Sequence, residues 1–146
     1  MQRGKLIQAP CGSGKTRWIS ALPVEKKSTW VDGDELLERH SMKNRNYFWY
    51  NNACSVQRAV INGLFEEHLA KGINILYSGH PELMSTDVIV LIDENTRWER
   101  LQSRAKDGGF APSREQFDNE EKIYSEAAKS GKYQVIKGGM KFLNVS

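Results

Sequence analysis

Residues 9–16 read Ala-Pro-Cys-Gly-Ser-Gly-Lys-Thr, directly after the apolar pair Leu6-Ile7 and directly before a segment with helical spacing. Two glycines leading into Lys-Thr is the pattern of a Walker A phosphate loop, with Ala9 where the strict pattern has glycine. Gly12 and Gly14 let the backbone curl until successive N–H groups point inward at an anion. In such a loop Pro10, Cys11, Gly12, Ser13, Gly14, Lys15 and Thr16 surround the phosphates. Lys15 reaches the β- and γ-phosphates of ATP, and the Thr16 hydroxyl is a ligand for Mg²⁺. The helix that follows adds the positive end of its dipole. The motif demands a strand before it and a helix after it, so its reading decides the fold class.

The rest of the chain extends that alternation. A strand at residues 5–9 leads to the loop, and the next helix is stopped by Pro23. Thr29-Trp30-Val31 reads as a short strand and residues 35–39 as a short helix. Residues 53–70 form an amphipathic helix, with Val56, Val60 and Leu64 as one stripe and Ile61, Phe65 and Leu69 beside it. Strands follow at residues 73–77 and 88–92; the second is wholly apolar, as suits a strand buried on both faces of a parallel sheet. A helix opens with a Thr96-x-x-Glu99 capping box, and a Gly-Gly loop spans residues 106–112. Ser113-x-x-Gln116 caps a further helix, and residues 133–136 are the fifth strand. Strands alternating with helices predict an α/β fold with a five-stranded parallel sheet flanked by helices. The whole of 1–146 reads as one domain, with an acceptor-binding segment at about 34–60 and a short lid at about 104–114.

Composition narrows the class. The 146 residues carry a net charge of +3, which suits an anionic substrate and falls short of the basic stripe of a dedicated nucleic-acid binder. No apolar run reaches membrane-spanning length, and the first residues lack a signal-peptide core, so a cytoplasmic protein is expected. Two cysteines, Cys11 and Cys54, do not make a disulfide framework, and both are expected as thiols. Helix-terminal N–H groups can lower the pKa of Cys11, although the residue equally suits a small loop position with no redox role.

Ligands of parallel sheets bind beyond the carboxyl ends of the strands. Asp32-Gly33-Asp34 lies at such an end. There Asp32 can hold the metal, while Asp34 orients an attacking hydroxyl or accepts its proton. The alternative is that Asp34 caps the next helix. Ser78-Gly79-His80 closes another strand; His80 either lines the acceptor pocket or is an ordinary loop histidine. Asp93 reads as a turn or capping residue. Arg97, Arg100 and Arg104 share a helix, and Arg114 follows the Gly-Gly loop. Arg100, Arg104 and Arg114 are candidates to stabilise a transferring phosphoryl group; a solvated helix face is the alternative. Tyr47-Phe48-Trp49-Tyr50, flanked by Lys43, Arg45 and Arg58, either stacks on an acceptor ring or packs on the core. Arg39, Trp49, Arg58 and His80, with the two aspartates, are the acceptor-binding candidates. Trp18, Trp30 and Trp98 are assigned to packing.

These motifs together resemble the P-loop kinase superfamily of nucleoside-monophosphate and small-metabolite kinases. That resemblance implies the sheet order 2-3-1-4-5. Asp32 to Arg39 resembles the Asp-x-Asp segment of shikimate-type kinases, which implies a metal role for Asp32 and an acceptor role for Asp34. The same stretch is similar to the Thr-Gly-Asp-x-Leu-Arg segment of adenylate kinases, and Ser78-Gly79-His80-Pro81-Glu82 to their Asp-Gly-Phe-Pro-Arg. Leu37 and Glu82 stand where those enzymes carry arginines, and Ser78 where they carry Asp. Trp98 to Arg104 is similar to the superfamily's Arg-x-x-x-Arg lid helix, which implies Arg100 near the adenine or the lid base and Arg104 and Arg114 facing the phosphates. Gly12 to Trp18 also resembles polynucleotide kinase over a shorter stretch. The expected activity is transfer of the ATP γ-phosphate, with Mg²⁺, to a small nucleotide, nucleoside or nucleic-acid acceptor. A non-nucleotide hydroxyl metabolite as acceptor and an ATPase or switch module are the alternatives.

Overall fold

The computed structural model describes residues 2–43, 55–109 and 111–143. Trp49 and the rest of Tyr47-Phe48-Trp49-Tyr50, together with Arg45 and Cys54, lie outside the described residues. Five strands, β1 (Leu6–Gln8), β2 (Trp30–Asp32), β3 (Asn74–Tyr77), β4 (Val88–Leu91) and β5 (Gln134–Lys137), form one sheet. Every pairing is parallel, and the order is β2-β3-β1-β4-β5. The helices are α1 (Lys15–Ser20), α2 (Val24–Lys27), α3 (Gly33–Lys43), α4 (Ser55–Ala70), α5 (Glu94–Lys106) and α6 (Arg114–Lys129).

Alternation along the strands builds the layers. Leu6, Ile75 and Tyr77 face Leu36, Leu37, Ile61, Phe65 and Leu69 of α3 and α4. Ile7, Leu76, Val88 and Val90 face the other way, toward Trp18 and Ile19 of α1 and the C-terminal turn bearing Met140. Ile89 packs on Tyr124 and Ala127 of α6. A strand exposes successive side chains to opposite faces, so β1, β3 and β4 carry apolar residues toward both layers, with Gln8 the buried polar exception in β1. Trp18 meets Trp30 edge-on at 4.9 Å between ring centroids, in keeping with a packing role.

Several local expectations change. The helix read at 35–39 is the longer α3, starting at Gly33 directly from β2. Asp34 is therefore inside the first turn, and Asp32 does the capping: Asp34 N donates to Asp32 Oδ1 at 2.9 Å. The Thr96-x-x-Glu99 box is not the start of α5. Asp93 is its N-cap, accepting from Thr96 N at 3.0 Å and Thr96 Oγ1 at 3.1 Å, so the helix starts one turn earlier and Thr96 N is the orphan donor that is satisfied. The Ser113–Gln116 box is present with both of its bonds. Two short helices, α2 and a 3₁₀ turn at Pro81–Leu83, carry too few residues to show a period in the sequence.

Candidate functional site

The turn after β1 brings residues 9–16 over the carboxyl ends of the strands. Gly12 and Gly14 take φ of 83° and 85°, the left-handed conformation that the curl requires. Ala9 N donates to Tyr77 O at 3.0 Å, and buried Ser13 ties the turn through Oγ to Pro10 O at 2.6 Å. Trp18 N donates to Gly14 O at 3.0 Å, so α1 begins at the last turn of the loop.

Lys15, Thr16, Asp32 and Asp34 come together here. Lys15 Nζ donates to Ser78 Oγ, and Ser78 Oγ donates to Ala9 O at 2.5 Å. Thr16 Oγ1 donates to Asp32 Oδ2 at 3.2 Å, joining the loop to the end of β2. Asp34 is open to solvent but closely surrounded; partial loss of water, then repulsion by Asp32, raises its carboxyl pKa, with Lys15 opposing. Its carboxylate makes no hydrogen bond among the described residues. Gly33 between the two is confined: a Cβ there would lie 2.7 Å from Tyr77 Cδ1 and 3.0 Å from Phe65 Cζ.

Thr16 and Asp32 offer a hydroxyl and a carboxylate side by side, hard oxygen donors that fit Mg²⁺. Among the described residues no group of three or more His, Cys, Asp or Glu forms a cage.

Arg100 lies over the loop, with Nη1 3.4 Å from Gly12 O. Arg104 is exposed one turn later, its side chain against Gly109. Arg114 is paired with Glu94 at 3.2 Å and Asp118 at 3.1 Å, its guanidinium stacked over Trp98 and Phe117. Arg39 is exposed on α3 with Glu35 at 3.8 Å, and Arg58 sits in the first turn of α4. His80 follows β3; its Nδ1 is buried without a hydrogen-bond partner among the described residues. Glu82, in the position of the adenylate-kinase arginine, is bonded to Lys132 at 3.0 Å and Tyr133 at 3.1 Å. Cys11 is half-buried, and burial together with Glu120 raises its thiol pKa, so helix-terminal activation does not prevail.

Three contributors escaped the sequence reading. Arg97, grouped there with the outward arginines, is completely buried, and its Nε donates to Cys11 O at 2.8 Å. Glu120 accepts from Cys11 N at 3.1 Å and pairs with Arg97. Their signals were positional: Arg97 is four residues before Leu101, and Glu120 lies three after Phe117 and four before Tyr124, on the buried stripes of α5 and α6. Gln8 is the third: fully buried, its Oε1 accepts from Gly79 N at 2.8 Å and so anchors the Ser78-Gly79-His80 turn.

A five-stranded parallel sheet in the order β2-β3-β1-β4-β5, flanked by helices and with a glycine-rich turn between β1 and α1, matches a P-loop kinase-like fold. Solved structures share it. A gluconokinase from Sinorhizobium meliloti 1021 is 15% identical, with a TM-score of 0.53 over 94% of this chain and 83% of its own. TT1252 from Thermus thermophilus is 16% identical, with a TM-score of 0.55 over 96% of this chain and 91% of its own. No family model matches the chain. No curated protein matches it either. No helix among the described residues is long and apolar enough to cross a membrane.

Proposed function

We propose that the protein is an ATP- and Mg²⁺-dependent phosphotransferase that delivers the γ-phosphate to a hydroxyl. The observation that carries this reading is the meeting of Lys15, Thr16, Asp32 and Asp34 at the carboxyl ends of β1 and β2. Loop amides and Lys15 bind the triphosphate, Lys15 exchanging Ser78 for phosphate oxygens. Thr16 and Asp32 would hold Mg²⁺, which when bound neutralises charge on the β- and γ-phosphates. Asp34, with a raised pKa and no hydrogen bond to its carboxylate among the described residues, accepts the acceptor's hydroxyl proton or orients that hydroxyl. Arg100, whose Nη1 lies 3.4 Å from Gly12 O, would stabilise charge on the transferring group, with Arg104 and Arg114 as further cations. For Arg114 that role requires leaving Glu94 and Asp118.

The acceptor we favour is a nucleotide, nucleoside or nucleic-acid end. In the sequence, the aromatic run with Trp49, the basic residues Arg39 and Arg58, and His80 support it, since such side chains can stack on a ring and hold a phosphate. A non-nucleotide polyhydroxy metabolite is the second reading, favoured by the structural likeness to a gluconokinase.

The test is γ-labelled ATP with Mg²⁺ and an acceptor panel of nucleosides, nucleoside monophosphates, polyhydroxy acids and single-stranded oligonucleotides, with Lys15→Ala as blank. Label joined to an acceptor hydroxyl supports the proposal and names the class, whereas a nucleoside monophosphate turned into a diphosphate overturns the hydroxyl assignment. Label found only as free phosphate, absent from the blank, means an ATPase and overturns it.

A further inference from the structure

Arg97 is the only fully buried charged side chain among the described residues. A guanidinium does not shed its proton in a protein, so its burial requires fixed partners on every side. Each donor nitrogen has one. Nη1 donates to Glu121 Oε1, Nη2 to Glu120 Oε1 at 2.5 Å, and Nε to the backbone carbonyl of Cys11 at 2.8 Å. The Phe117 ring lies 4.3 Å below the guanidinium carbon. Glu120 also takes the N–H of the same cysteine, at 3.1 Å. Both backbone groups of Cys11 are thus held by side chains of α5 and α6, more than eighty residues away along the chain. The next residue, Gly12, has its α-carbon packed against that helix: a Cβ there would lie 3.0 Å from Leu101 Cγ and 3.3 Å from Arg97 O.

We infer that Arg97 and Glu120 are positioning residues for nucleotide binding: they clamp Cys11 and preset the phosphate loop, joining it to the helices that carry Arg100 and Arg114. The inference rests on the nucleotide reading of the loop. Its physical basis is conformational entropy. A glycine-rich turn has many backbone states, and each one excluded before the ligand arrives is ordering that binding need not supply. The clamp also spends the Cys11 amide on Glu120, which leaves the amides from Gly12 to Thr16 to face the anion. The group carries two carboxylates against one guanidinium, so its part is geometric rather than attraction of phosphate.

Two readouts on the intact chain test this. The first is the Kd of a fluorescent ATP analogue with Mg²⁺, with Lys15→Ala as the non-binding control and melting temperature measured alongside. Glu120→Ala and Arg97→Lys are each expected to raise Kd about tenfold, the scale of one lost hydrogen bond to a charged group. Glu120→Gln, which keeps an oxygen for the Cys11 N–H, stays within about threefold. Leu69→Ala, in the core far from the loop, lowers the melting temperature and leaves Kd unchanged. The second readout is hydrogen exchange of the Cys11 amide without nucleotide, protected in the wild type and Glu120→Gln and unprotected in Glu120→Ala. Variants that lose stability as Leu69→Ala does, with Kd unchanged and Cys11 still protected, would reduce the network to ordinary packing and overturn the proposal. Failure of the wild type to bind nucleotide would remove the nucleotide reading. Loss of Cys11 protection in Glu120→Ala alone would then still support the clamp, and its retention would sink it.

Discussion

Ser78 occupies the gap between Lys15 and the phosphate loop's own backbone, accepting from Lys15 Nζ and donating to Ala9 O at 2.5 Å. A hydroxyl thereby fills the place beside Lys15 where a carboxylate is common in phosphate-loop proteins, and it does so without a charge that would compete with phosphate. Ser78→Ala removes both bonds. The expected cost is about 1–2 kcal/mol of stability, a fall in melting temperature of about 3–6 °C. ATP affinity should change less than about threefold, since the phosphates become the lysine's partners. Calorimetry of unfolding and of binding on the same samples checks both halves.

Asp34 is the residue at which the proposed activity and the stability of the fold meet. Its pKa is raised, first by partial desolvation and then by Asp32. The folded chain therefore holds a proton at pH values where the unfolded chain has released it. Stability falls as pH rises from the ordinary aspartate range through the raised pKa, and levels off above it. Asp34→Asn should abolish that slope and raise the melting temperature at neutral pH. Phosphoryl transfer to a hydroxyl should meanwhile fall by about 10²-fold or more, with ATP still bound. Melting curves from pH 3 to 8 and single-turnover rates decide it; an unchanged transfer rate would remove Asp34 from the chemistry.

Gly33 is required by space. A methyl group there meets ring atoms of Tyr77 at 2.7 Å and of Phe65 at 3.0 Å, both in the core. Gly33→Ala should cost about 2 kcal/mol, lower the melting temperature by about 6 °C, and displace the carboxylates on either side. Unfolding in urea, with Mg²⁺-dependent nucleotide binding, measures the two consequences.

Thr16 and Asp32 are the expected Mg²⁺ ligands. Asp32→Asn keeps an acceptor for Thr16 Oγ1 and Asp34 N while removing the negative charge. The Mg²⁺ concentration at half-maximal turnover should rise at least about tenfold with the fold unchanged. A magnesium titration of initial rate is the measurement.

Tyr124 holds the second strand-end turn. Its hydroxyl, fully buried, donates to Gly79 O at 2.8 Å, and burial pushes its pKa well above the ordinary tyrosine value. Tyr124→Phe leaves that carbonyl without the donor and should cost about 1–3 kcal/mol, read as a shift in the urea midpoint with the slope unchanged.

The sequence by itself determined the fold. Gly12 and Gly14 before Lys15-Thr16 mark a turn that needs a strand before it and a helix after it, and the strands β1, β3 and β4 carry apolar residues on both faces, as a covered parallel sheet requires. It likewise put Lys15, Thr16, Asp32 and Asp34 at strand ends, because strand and turn are local in the chain. Tertiary structure alone decided which charges turn inward. Arg97 and Arg100 are three residues apart on one helix, and a small rotation about its axis separates a buried guanidinium from an exposed one. That rotation is set by how α5 packs on α6 and the loop, through Leu101, Phe117 and Glu120, contacts made across the fold. Sequence spacing records which residues share a helix face; only the packing of that face says what it meets.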